Sequence, residues 1–168
     1  MKKNQVRANN DSPQTNNIKP YQIVNEETGE VKDRFKYMKG MPRQYRFNGQ
    51  NGRFNLDGFE DKGTSLEVTP IAWRVFTADN LFGRERLEKW VELFFVDAQN
   101  CVSSIMFNNT SANIFQQLLG QLMYADLTIL EVVLTITADR RTNSNVGSNY
   151  YIAQFNFKKA EPEDVSVF

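Results

Sequence analysis

The sequence predicts an all-β domain carrying one helix. Three observations carry that expectation: apolar residues alternate with polar ones through most of residues 65–158, one stretch near 111–124 switches to helical spacing, and the alternation then resumes. Residues 65–77 read as the first strand, bent or at an edge because Pro70 interrupts it. A polar loop with Gly83 follows over 78–88. Residues 90–97 (WVELFFVD) are a strong second strand, 98–100 a tight connection, and 101–107 (CVSSIMF) the returning third strand. Asn109-Thr-Ser111 is then a helix N-cap signal, and Ile114, Phe115, Leu118, Leu119, Leu122 and Met123 fall on one helical stripe. Residues 127–137 read as a β-branched fourth strand, 138–148 as a polar loop with Arg140 and Arg141, and 149–158 as the fifth strand.

The order β-β-β-α-β-β is that of a five-stranded OB-fold barrel, whose helix lies between strands three and four. Four segments are expected: a disordered stretch over 1–31, a basic aromatic arm or hairpin over 32–63, the barrel over 64–159, and a flexible acidic tail over 160–168. The first contains five asparagines before Pro20 and too little apolar surface to offset the entropy of ordering it.

Composition bounds the chemistry. The 168 residues contain 20 basic and 20 acidic side chains, no histidine and one cysteine. Intrachain disulfides, His/Cys zinc sites and histidine-based triads are excluded, so neither metal nor cofactor is expected. The acids Asp57, Glu60, Asp61 and Glu67 form no convergent pair, so no enzyme is expected either. The lone thiol fits a reducing compartment and no run is long and apolar enough for a membrane helix, which together suggest a cytoplasmic protein that touches no membrane. The Lys/Asn-rich start does not read as a signal peptide.

Net charge of zero means any electrostatic argument is local. Between residues 32 and 53 there are seven basic residues and one acid, interleaved with aromatics; Arg43, Tyr45, Arg46, Arg53 and, next to it, Phe54 are the candidates there. By strand parity, Val91, Leu93 and Phe95 face the core, leaving Trp90 and Phe94 on the outer face; Arg74 and Phe76 share one face of the first strand, and Tyr150 and Lys158 share one of the fifth. Aromatic planes for bases and cations for phosphates are what single-stranded nucleic acid requires, and Arg140 and Arg141 would add to them. At the C-terminus, Glu161, Glu163 and Asp164 precede a terminal Phe168, the composition of a docking peptide with an aromatic anchor.

Residues 90–107 (WVELFFVDAQNCVSSIMF), the helix TSANIFQQLLGQLMY and the final strand pair resemble OB-fold single-stranded DNA-binding proteins of tailed bacteriophages, most closely those of Bacteroidetes phages. The resemblance covers roughly 64–158. The tail EPEDVSVF is similar in kind to the acidic tip of bacterial single-stranded DNA-binding proteins, although those usually end in an Ile-Pro-Phe-like tripeptide. The resemblance implies a non-catalytic protein that coats single-stranded DNA in phage replication or recombination, in the host cytoplasm, recruiting partners through its tail; a homo-oligomer is compatible with it. The competing reading is a non-catalytic OB-like structural or protein-interaction module, of the virion or an adaptor.

Overall fold

A computed structural model describes residues 18–19, 21–33 and 35–161. It is mostly β, with a single α-helix among the described residues. A short hairpin comes first, β1 (Gln22–Val24) and β2 (Val31–Asp33). Its turn is closed by Asn25, whose side-chain oxygen accepts the backbone N–H groups of Glu27 and Thr28. Residues 21–31 therefore carry structure where the low apolar content suggested none.

Within 32–63 the hairpin alternative is the one that forms: β3 (Arg43–Asn48) and β4 (Arg53–Leu56) pair antiparallel, and β5 (Glu60–Gly63) pairs with β4. What differs from expectation is that the segment is built into the main sheet. β3 runs parallel to β9 (Val102–Asn108), with Tyr45 opposite Ile105, and so joins β7 (Pro70–Ala78) and β8 (Glu88–Val96) in a six-stranded sheet of order β5-β4-β3-β9-β8-β7. Tyr45, Phe54 and Leu56 are buried in the common core. Tyr45, Phe47, Phe54 and Leu56 take the core side, Arg46 and Arg53 the other; Arg43 shares the parity of Tyr45, and both reach Asp97.

The bend foreseen at Pro70 is real and divides one expected strand in two. β6 (Ser65–Val68) pairs with β10 (Val132–Thr142), which pairs with β11 (Asn149–Lys159) in a three-stranded sheet. After Thr69 the chain crosses to β8, with a register shift between Pro70 and Ala72. Proline donates no ladder bond, which makes this the natural place to change sheets.

Parity in β8 is as read: Val91, Leu93 and Phe95 are at most 1% exposed. Against them lies α1 (Asn109–Tyr124), which buries Phe115, Leu118 and Leu122. Phe155 of β11 meets Phe107 and Phe115 edge-on, with ring centroids 5.1 and 5.4 Å away. Each fully buried Phe or Leu contributes roughly 1.5–3 kcal/mol relative to leaving it exposed. Met123, at the edge of the stripe, is exposed. The helix begins two residues earlier than read, and Ser111 does not cap it; its Oγ accepts the Ala153 N–H at 2.9 Å, tying α1 to β11.

Two boundaries differ beyond α1. Residues 129–131 form a 3-10 turn, because Thr128 and Glu131 make a reciprocal capping box that outweighs local β propensity. β10 then runs on to Thr142, so Arg140 and Arg141 lie within a strand opposite Tyr151 and Tyr150 instead of in a loop. The β3–β4 turn is seated on β11: the Tyr151 N–H donates to the Gly49 carbonyl at 2.8 Å, and the Tyr151 ring lies against Gly52. A Cβ at Gly52, whose φ is +72°, would come within 2.6 Å of that ring.

Two substitutions test this arrangement. Phe54→Ala should cost about 3–5 kcal/mol in urea unfolding, as expected for a truncated core ring, whereas a ring on a detached arm would cost almost nothing. Gly52→Ala should cost about 2 kcal/mol or more, since it adds a left-handed backbone penalty to the collision with Tyr151.

Candidate nucleic-acid interface

A groove of about 1000 Å³ opens where the end of β3, the start of β8, the end of β9, the first turn of α1 and the start of β11 converge. Three arginines line it, Arg46, Arg84 and Arg86, and none of its lining residues is acidic. The first turn of α1 contains no acid and its N-terminus has no side-chain cap, so the positive end of the helix dipole faces the same space. Aromatic surface comes from Phe82 and Tyr150, which are 65% and 41% exposed, and from the partly buried Phe47 and Tyr151. The groove thus combines cations with accessible rings and carries a local positive field on a chain of zero net charge.

One carboxylate organises its wall. Glu88, at the start of β8, is 3% exposed. It accepts hydrogen bonds from Asn108 Nδ2 at 3.0 Å, Asn109 Nδ2 at 2.9 Å and Arg86 Nε at 2.7 Å, with Arg84 Nη1 at 3.5 Å. Burial alone would raise its pKa; the bonds from Asn109, Asn108 and Arg86, together with the Arg84 charge, outweigh that and lower it to about 2. Glu88 therefore fixes both the two asparagines and the loop between β7 and β8. That loop is tightly wound: Asn80, Phe82 and Gly83 all have left-handed backbones, at φ 56°, 56° and 72°. It carries Phe82 edge-on to Trp90, centroids 5.6 Å apart, and Arg84 over the same indole at 5.8 Å.

The residues singled out from sequence divide into groups. Tyr45, Arg46, Trp90 and Tyr150 line the groove. Arg46 is exposed and makes no ion pair among the described residues. Trp90, expected as an open stacking platform, is only 5% exposed because the β7–β8 loop covers it. Phe54 is removed from any surface role by complete burial. Tyr45 is mostly buried, and its hydroxyl lies 3.4 Å from Asp97; burial first, then that carboxylate, push its pKa up to about 12.

Arg43 is committed to structure. It donates to Asp97 at 3.1 Å, and Asp97 also accepts the backbone N–H groups of Gln99 and Cys101 and the Ser103 hydroxyl. Although burial works the other way, these bonds hold the Asp97 carboxyl below its ordinary range. Arg53 pairs with Asp61, Arg141 with Asp139, and Lys158 with Glu67. Arg74 and Phe76 do share the outer face of β7, but Arg74 is paired with buried Glu92 and lies 4.9 Å over the Phe76 ring. Phe94 lines a separate apolar pocket of about 600 Å³ with Tyr21, Ile23, Tyr37 and Ile71. Arg140 is exposed, opposite Tyr151, and makes no ion pair among the described residues. Glu161 is the last described residue; Glu163, Asp164 and Phe168 lie outside the described residues.

Sequence reading passed over Phe82, Arg84, Arg86, Asn108 and Asn109. The alternation Phe82-Gly-Arg84-Glu-Arg86 was a usable signal in what read only as a polar loop. Compared with protein-family models, curated proteins and solved structures, the chain matches none of them.

The Glu88 network predicts a pH dependence. A carboxylate whose folded pKa is depressed stabilises the fold fully above its unfolded value, near 4.5, and loses that contribution as pH falls towards about 2. Glu88→Gln should lower stability at pH 7 by about 1.5–3 kcal/mol, the scale of hydrogen bonds to a charged group. The variant's melting temperature should also fall less steeply than the wild type's between pH 4.5 and 2. A pH profile running parallel to the wild type's would show that Glu88 is not the titrating anchor.

Proposed function

We propose that the chain binds single-stranded DNA without catalysis, laying the strand in the groove between β3, β8, β9 and β11. The observation that carries this reading is the groove's lining: three arginines, accessible aromatic rings and the open N-terminus of α1, with no acid among them. Arg46, Arg84 and Arg86 would neutralise phosphates while Tyr150 and Tyr151 stack bases. Arg140, beside Tyr151, extends the cationic track.

Within this reading, residues 64–159 are an OB-fold barrel. The element order from β6 to β11 supports it, as does the bent β6–β7 strand shared by the two larger sheets. The β3–β4–β5 segment would be an elaboration of that barrel. Coating of single strands during phage replication or recombination in the host cytoplasm, with the 160–168 tail as a docking peptide for partner proteins, is the corresponding role. A structural or protein-interaction module is the second reading. It draws on the many arginines already ion-paired and on the apolar pocket around Phe94.

Titrating oligo(dT), oligo(rU) and duplex DNA at several salt concentrations separates the two. For about 4–6 neutralised phosphates at ~0.7 each, the log–log salt slope for oligo(dT) should be about −3 to −4. Arg46→Ala should weaken binding and reduce the slope by roughly 0.7, whereas Arg53→Ala, at an arginine already paired with Asp61, should leave it unchanged. Binding that ignores salt, or duplex bound as well as single strand, would favour the interaction module.

A further inference from the structure

Resting on the single-strand reading, one feature of the groove points beyond coating to base discrimination. Trp90 is nine-tenths buried, its Nε1 is fully enclosed, and that N–H has no hydrogen-bond partner among the described residues. Buried polar atoms in folded proteins are almost always paired, so an enclosed lone donor on a groove wall marks a place where an acceptor belongs. Directly opposite Trp90 in the β8–β9 ladder stands Asn108. The Asn108 amide has a defined orientation: an ionised carboxylate only accepts, so the group facing Glu88 Oε2 at 3.0 Å is the NH2, and the carbonyl Oδ1 is its other arm. Neighbouring strands thus present one N–H donor and one C=O acceptor at the same level of the groove wall.

What lies over Trp90 is the β7–β8 loop. Its 3-10 turn, Leu81–Gly83, buries no residue of its own, and Phe82 sits on Trp90 at 65% exposure with a left-handed backbone unusual for a bulky residue. An aromatic ring, held edge-on at 5.6 Å, therefore already occupies space beside the indole.

We propose that Trp90 and Asn108 form a base-reading pair, which takes a nucleobase presenting a carbonyl beside a ring N–H. Thymine, uracil and guanine carry that edge. The base carbonyl accepts from Trp90 Nε1–H, the base N–H donates to Asn108 Oδ1, and Phe82 is displaced from the indole as the base enters. Cytosine offers an unprotonated ring nitrogen at the corresponding position and would leave Asn108 Oδ1 without a donor.

The test compares oligo(dT) with oligo(dC) of equal length, using wild type, Trp90→Phe and Phe82→Ala. Wild type should bind oligo(dT) at least about fivefold more tightly, within the range one paired base edge supplies. Trp90→Phe keeps an aromatic plane and removes only the indole N–H; it should weaken oligo(dT) about tenfold, leave oligo(dC) within threefold, and bring the preference near one at an unchanged salt slope. Phe82→Ala uncovers the indole; it should tighten oligo(dT) with little effect on oligo(dC), and it decides the matter if Trp90→Phe does not fold. Equal binding of both oligonucleotides by wild type, a preference that survives Trp90→Phe, or a Phe82→Ala variant weakened equally for both would overturn the base-reading pair while leaving single-strand binding intact. Failure of wild type to bind either oligonucleotide would overturn the single-strand reading and the pair together.

Discussion

The parallel pairing of β3 with β9 is the constraint on which the rest of the molecule depends. β9 carries Ser103, Ser104, Ile105 and Phe107, all buried, so its backbone polar groups have no recourse to water on the side facing β3. β3 satisfies them over Arg43–Arg46, and the bonds between Lys36 and residues 100 and 102 extend the same alignment towards the N-terminus. Burying Tyr45, Phe54 and Leu56 follows from that pairing, because alternation puts these residues on the core side once β3 and β4 join the sheet. The same alternation turns Arg46 outward. A basic stretch is thereby converted into one wall of a concave surface, and its cation is held by the apolar residues on either side of it.

Charge on this molecule is distributed by pairing. Arg43, Arg53, Arg74 and Arg141 each face a carboxylate, and two of those, Asp97 and Glu92, are buried. Removing one member of a buried pair leaves the other charge stranded, so these arginines act first as parts of the scaffold. The field available to a ligand comes from what remains, Arg46 and Arg140, and from the Arg84/Arg86 cluster around Glu88. The cluster has two cations for one carboxylate, so it holds its loop in place and still presents excess positive charge. Zero net charge and a positive groove are therefore compatible.

Local signals in the sequence were sufficient where the determining contacts are local. The alternation of β8 identified Val91, Leu93 and Phe95 as core, and the switch of period located α1 to within two residues. The Pro70 interruption foretold the bend between β6 and β7. What could not be read is non-local. A parallel strand pair has no turn to announce it, and the partners Tyr45 and Ile105 lie far apart in the chain, so 32–63 read as an arm or hairpin with no place in the sheet, although the β3–β4 hairpin itself was legible. The extension of β10 through Arg140 and Arg141 depends on Tyr150 and Tyr151 opposite them, which local polarity conceals. Trp90 was placed on the correct face and yet proved buried, because its cover comes from a loop whose shape rests on backbone conformations that composition does not encode.

The candidate site draws on segments that meet only in the completed fold: the end of β3, the β7–β8 loop, the junction of β9 with α1, and the start of β11. Such a surface cannot be a charged arm that orders on contact. Its side chains are set beforehand by the ladder, by the Glu88 network and by the Tyr151–Gly52 seat, so little ordering entropy is left to oppose binding. The least constrained element around it is the β7–β8 loop, whose 3-10 turn buries nothing and which is held mainly by one edge-on ring contact and by arginines at Glu88. Mobility at the groove should therefore concentrate in this loop, with the strands beneath it fixed.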